Sequence, residues 1–439
     1  MEVLLQSEAE TGRAISFWNN PVVWLQEKNL ARNFWVFFTV ALFFDAGFSV
    51  YFFLFNLYLL DFHFNERAIG LVGGAFTLGS LAGTLPAGGL ARKLGLRPLL
   101  FLCFTAAPLL GALRTLWMWE PAQIGLAFLA GVAMCIWGVC FLPAVARLTT
   151  ERNRASAFSL IFSVSIGTAA LGGVVCGYLP QWLRMAGIAM QAAETKRLIL
   201  LASCAIAAVG LVPLRSLVLT SAAPEDAQIG MVSGSWLRRW KPDRFLMRFL
   251  PLMALWSVVL AAFTPFSNVF LSRQLHIPMS RIGLIFSIAQ VTQFCMGLLT
   301  PVVIRAFGLM NGLAAMQIAA AVALGCMAGA HDAQLVTVLY LTFFAAQWMS
   351  SPGLYNLLMN ETPDKDRSTA AAMTLFCNAL AGSAATAGAG ILFTQFGYPR
   401  VLLGIALLAL AAAILFRLVI APRRGAPRCC RRRTSAFQR

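Results

Sequence analysis

Charge is what this chain has least of. Only 12% of its 439 residues are Asp, Glu, Lys or Arg, whereas 59% are hydrophobic and the mean hydropathy is +0.75. Soluble domains carry roughly a quarter charged residues, so a conventional water-facing surface cannot be built here and lipid is the expected solvent. Acids are scarcer than bases, 17 against 34, for a formal charge of +17. The basic residues sit in short clusters between apolar stretches rather than along one face, which argues against a nucleic-acid partner. Histidine is nearly absent: His63, His276 and His331 each lie near the end of an apolar stretch, and no metal site is readable. None of the ten cysteines forms a CxxC pair. Those inside apolar stretches read as small fillers. With neither a nucleophile–base constellation nor a cofactor loop, no enzyme and no cofactor are expected.

Long apolar runs are what the chain has instead. Hydropathy and breakers predict twelve spans, at about 33–60, 67–91, 98–119, 121–148, 155–183, 197–220, 245–272, 280–304, 308–330, 333–358, 368–396 and 398–420. Lipid offers unpaired backbone groups no partner, so an all-α membrane protein is the expected fold class. The organisation read is a cytoplasmic or interfacial segment (1–32), a six-helix half (33–220), a cytoplasmic linker (221–244), a second six-helix half (245–420) and a basic tail (421–439). Placing both termini in the cytoplasm puts 26 Lys and Arg inside and 8 outside, the asymmetry that sets membrane topology.

The halves repeat. Ile69-Gly70-Leu71 returns as Ile282-Gly283-Leu284, Gly95-Leu96 as Gly308-Leu309, Arg154 as Arg367 and Gly177 as Gly390, each 213 residues later. Internal duplication of an apolar bundle is the mark of a secondary transporter. Between spans two and three stands Gly88-Gly89-Leu90-Ala91-Arg92-Lys93-Leu94-Gly95-Leu96-Arg97. It resembles the cytoplasmic signature of the major facilitator superfamily, Gly-x-Leu-Ala-Asp-Arg-x-Gly-Arg-Lys. Gly88, Lys93, Gly95 and Arg97 match, and Arg305 and Gly308 stand in a degenerate second copy. The resemblance implies two six-helix halves that rock about a mid-membrane site, with these loop residues and Arg154 and Arg367 as gating or topology positions. Arg92 replaces the family's acid, the fourth span has no interior Arg and the fifth lacks the antiporter Pro. The drug–proton antiporter subgroup is therefore not implied.

Among the seventeen acids only Asp45 lies deep in a span. It is within about 2 residues, or ~3 Å, of that span's centre. A charge at that depth costs at least ~2.5 kcal/mol on insertion scales. A proton carrier or substrate contact is therefore expected, the alternative being a permanently neutral Asp bonded to a neighbouring helix. At 100° per residue Asp45, Ser49, Phe52 and Asn56 share a face. The seventh span carries a matching stripe of Ser257, Thr264 and Asn268, with Asn56 and Asn268 212 residues apart. Gln290 and Gln293, Gln347, and Asn378 are further lining candidates, each equally suited to interhelical hydrogen bonding. Asp45 itself has no acidic counterpart, since 213 residues on stands Val258. Arg114, near the end of the third span, is expected to snorkel to the interface. With no cation near the centre of a lining helix, an anionic substrate is disfavoured.

The expected function is secondary transport of a small neutral or cationic organic molecule, proton-coupled through Asp45 and directed outward, by a monomer in the plasma membrane. The partners are that substrate, protons and membrane lipid. The alternatives are a uniporter or uptake carrier of a polar solute such as a sugar, or a non-transporting receptor or lipid-moving protein on the same scaffold.

Overall fold

A computed structural model describes residues 30–187, 190–218, 243–363 and 366–420. The segment 1–29, nearly all of the linker and the tail with Cys429-Cys430 lie outside the described residues. The described chain is helical throughout. In the first half α1 spans Arg32–Asp61, α2 Glu66–Leu94, α3 Leu96–Leu116, α4 Glu120–Leu148, α5 Glu151–Met185, α6 Ala192–Val209 and the short α7 Leu211–Ser216. In the second half α8 spans Arg244–Phe263, followed by a 3-10 turn at Thr264–Phe266 and α9 at Ser267–Arg273. Then come α10 Met279–Phe307, α11 Leu309–Gly329, α12 Ala333–Glu361 and the bent α13 Arg367–Ile420, broken at Gly397 (φ 75°, ψ 168°). Ten helices are long and apolar enough to cross a membrane among the described residues.

Helix boundaries repeat to the residue. The α2, α3 and α4 ranges, moved by 213, fall on those of α10, α11 and α12. The Arg32–Asp61 range, however, falls on Arg244–Arg273 only when moved by 212. The connection after Arg273 is one residue longer than the one after Asp61, which restores the larger offset. His63 (φ 62°) and His276 (φ 52°), 213 apart, both take the left-handed conformation in these connections. Gly95 (φ 86°) and Gly308 (φ 78°) turn the chain between equivalent helices in the same way. Side chains with a Cβ rarely adopt this conformation, so both turns favour Gly.

The break in the seventh span has a local cause. Pro265 has no N–H to give to the carbonyl four residues back, and Thr386 Oγ1 on α13 donates to that Ala261 carbonyl at 3.0 Å. An apolar interior tolerates a broken helix only when neighbours supply such partners.

Candidate proton and substrate pathway

Midway along α1, half-buried Asp45 accepts a hydrogen bond from Ser165 Oγ on α5. A hydroxyl both donates and accepts, so Ser165 can serve either protonation state of the carboxyl. One turn further, Ser49 is tied to its own helix at the Ala46 carbonyl (3.2 Å). Phe52 is 45% exposed, its ring edge-on to Phe76 of α2 at 5.5 Å. Because α1 maps onto the seventh span with 212, the counterpart of Asp45 is Ser257 and not Val258, which corrects the single-offset expectation. Ser165 maps onto Asn378 with 213. The equivalent positions meet again with donor and acceptor exchanged: Ser257 Oγ donates to the Asn378 backbone carbonyl at 2.9 Å. A cavity of about 130 Å³ opens beside it, lined in part by Trp256, Leu260, Ser351 and Tyr355.

About 11 residues beyond Asp45, or ~16 Å along the helix, the halves are locked together. Asn56 Nδ2 donates to the Pro265 carbonyl at 2.8 Å, and Asn268 Nδ2 donates to the Phe53 carbonyl at 3.2 Å. Each bond is the other moved by 212, so the pair forms a reciprocal clamp across the pseudo-two-fold axis. Two further symmetric pairs follow. A Cβ on Gly70 would lie 2.9 Å from the Gly390 Cα, and one on Gly283 would lie 3.0 Å from the Gly177 Cα. Ser383 Oγ donates to the Gly74 carbonyl (2.7 Å), and Ser287 Oγ to the Ala170 carbonyl (2.5 Å). Above them Glu66 binds Arg273 Nη1 through both carboxylate oxygens, at 3.0 and 3.1 Å, and accepts from the Tyr398 hydroxyl at 3.2 Å. The Arg67 N–H reaches Thr394 Oγ1 at 3.0 Å. Small residues, backbone carbonyls and one ion pair thus seal the end of the bundle away from the termini.

The Major Facilitator Superfamily profile matches residues 36–386. The chain belongs to that superfamily. It is an integral, multi-pass membrane carrier and not an enzyme. Solved structures share its fold at low identity. One is the nucleoside transporter NupG (15% identity, TM-score 0.72, covering 90% of this chain and 100% of that one). Another is a D-xylose–proton symporter (14%, 0.67, 87% and 96%). A third is an inward-facing bacterial homolog of the human lysosomal transporter Spinster (12%, 0.67, 88% and 97%). A search of curated proteins gave no match.

The remaining expected positions of this carrier divide by what they touch. Gln293 Nε2 bonds its own helix at Ala289 (3.2 Å), and Gln290 lies half-buried one turn away. The side-chain oxygens of Thr264, Asn268, Gln347 and Asn378 are buried without a protein partner. The expected loop signature lies on the last turns of α2, because the helix runs to Leu94 and only Gly95 separates it from α3. There Gly88 is buried and Lys93 exposed, and of Arg92 only the helical backbone is described. Arg97 donates to the Arg215 carbonyl at 2.6 Å, and Arg305 to the Pro301 carbonyl at 3.3 Å. Arg154 reaches the Ala146 carbonyl (3.5 Å) and Arg367 the Met359 carbonyl (2.9 Å), the same contact moved by 213. Both guanidinium groups cap the helix before them, as cations at helix C-termini do.

Arg114 does not snorkel. It is 4% exposed, lies over the Phe55 ring at 4.3 Å, and is held by Gln123, whose Nε2 donates to the Arg114 and Trp117 carbonyls. The neighbouring α1, α3 and α4 enclose it, and the aromatic face offsets part of the cost of burial. Ser165, Glu66, Arg273 and Tyr398 were not anticipated. The 213 offset could have pointed to Ser165, because it pairs that residue with Asn378; the other three carry no periodic signal.

Proposed function

We propose that this chain is a proton-coupled secondary transporter of a small neutral or cationic organic molecule, working as a monomer in the plasma membrane in the export direction. In this reading the bent α13 supplies two spans, α12 is a span, and twelve spans place both termini in the cytoplasm. The observation that carries it is the Asp45–Ser165 pair, a lone mid-span carboxyl with a partner suited to both of its protonation states. When the sealed end opens, the clamp and glycine contacts part, Asp45 exchanges its proton with the other side, and the halves rock back.

Proteoliposomes with an imposed pH gradient, screened against neutral and cationic compounds, test this. Asp45→Asn should abolish gradient-driven accumulation and keep gradient-independent exchange; unchanged gradient-driven accumulation would refute the coupling. Accumulation in the lumen of inside-out vesicles under an acid-inside gradient is expected of an exporter; accumulation in right-side-out vesicles instead would reverse the direction.

A second reading, uptake of a polar solute, draws on the unpartnered amide oxygens of Gln347 and Asn378. A D-xylose–proton symporter and a nucleoside transporter share the fold.

A further inference from the structure

The duplication that produced Asp45–Ser165 also produced Ser257–Asn378, and the two copies have diverged in filling as well as in charge. Around Asp45 the first half is packed with rings. Phe44 lies 4.7 Å from each of Phe48, Phe104 and Trp137, and Trp137 lies 5.3 Å from Phe141. Carried to the second half, Phe44 becomes Trp256, Phe48 becomes Leu260, Phe104 becomes Gln317, Trp137 becomes Ser350 and Phe141 becomes Leu354. Four rings are thus exchanged for smaller or polar side chains around the one ring that is kept. Leu260 and Leu354 both line the 130 Å³ cavity, so ring loss accounts for its position.

Two polar groups of its lining residues are unsatisfied. Trp256 is 2% exposed, and its Nε1 has no protein partner. Nor has Asn378 Oδ1. Buried polar groups are normally paired, so an unpaired donor and an unpaired acceptor on residues lining one cavity suit a ligand that offers both. The lining contains no charged side chain, which excludes an ionic group from this pocket. A cavity of about 150 Å³ holds one benzene-sized ring, so the present one takes a single ring, with the rest of a larger molecule outside it.

We infer that the second half holds a substrate subsite for a neutral planar ring bearing an N–H beside a C=O, a cyclic amide, between Trp256 and Asn378. The ring carbonyl accepts from the Trp256 indole N–H, and the ring N–H donates to the Asn378 amide oxygen. A group with both functions also suits either orientation of the Asn378 amide. This rests on the transporter reading above and deepens it: one copy of the duplicated site holds the proton, the other the substrate.

The test uses the purified full-length protein in nanodiscs, with 2-pyridone as probe and saturation-transfer NMR as readout. The parent should bind 2-pyridone, and 1-methyl-2-pyridone, which lacks the N–H, about tenfold more weakly. Trp256→Phe, which keeps a ring and removes the donor, should weaken 2-pyridone about tenfold. Leu260→Phe, which restores the ring found in the first half, should abolish binding. Thermal melting establishes that each variant is folded; should Leu260→Phe fail to fold, Trp256→Phe decides alone. Absence of binding to the parent, or equal binding by parent and folded Trp256→Phe, overturns the subsite. Such a result with Asp45-dependent proton flux intact removes the subsite alone. Pyridone binding without Asp45-dependent flux removes the coupling alone.

Discussion

Removing the reciprocal clamp should release the sealed end by an amount that can be calculated in advance. Asn56→Ala leaves the Pro265 carbonyl without its 2.8 Å donor, and Asn268→Ala leaves the Phe53 carbonyl without its 3.2 Å donor. Interhelical hydrogen bonds in membrane proteins are worth about 0.6 kcal/mol on average and up to about 1.7. The Phe53 carbonyl keeps its helical donor, so about 1 kcal/mol per clamp, within that range, is a fair figure. The two bonds sit one turn apart on the same pair of segments, so about 2 kcal/mol is the sum expected if they act independently. At 1.4 kcal/mol per tenfold, each single variant should move the equilibrium between sealed and open about fivefold, and the double variant about thirtyfold. Nitroxide labels at exposed Arg184 and Arg281, at the sealed ends of α5 and α10, report this by electron–electron double resonance in a cysteine-depleted background. The long-distance population should grow in the order parent, single, double. A double variant with the parental distance distribution would show that the clamp carries no closing energy. A single variant equal to the double would show that the two bonds do not act separately.

Gly283→Ala or Gly390→Ala should hinder sealing more than Gly89→Ala, whose Cβ would meet nothing within 4 Å; transport rates in proteoliposomes check the order. Glu66→Gln breaks the ion pair with Arg273, whose side chain is 41% exposed. Solvent screening keeps that pair to about 1 kcal/mol or less, and the same spin labels should show a shift smaller than the double clamp variant gives. Arg154→Ala and Arg367→Ala should each lower thermal stability by a few degrees or less, consistent with loss of a cap of about 0.5 kcal/mol, with gradient dependence retained. Loss of gradient dependence in either would make it a coupling residue.

How legible this was in the sequence depends on what each residue contacts. The scaffold was readable because the duplicated positions, Gly70, Gly177, Gly283 and Gly390, are where backbones touch and a Cβ cannot enter; such positions change little and keep their spacing. Asp45 was readable because a lone acid at mid-span is costly. The role of Asn56 and Asn268 was not, since an amide on a lining face looks the same whether it meets a solute or the opposite helix. The single offset misplaced the counterpart of Asp45 because one extra residue after Arg273 shifts the register of the first repeat unit alone. Arg114 was misplaced because nearness to a span end does not reveal that Phe55 and Gln123 close over it. The cavity at Trp256 was invisible, because it arises from rings that are missing relative to the other half.

The central claim is that Asp45 gains and loses a proton during the cycle. Infrared difference spectroscopy of the protein in lipid, between mildly acidic and mildly alkaline pH, observes that directly. The account predicts a carboxylic-acid band that appears with acid, shifts on Ser165→Ala through loss of its hydrogen bond, and is missing in Asp45→Asn. A difference spectrum unchanged by Asp45→Asn would contradict it.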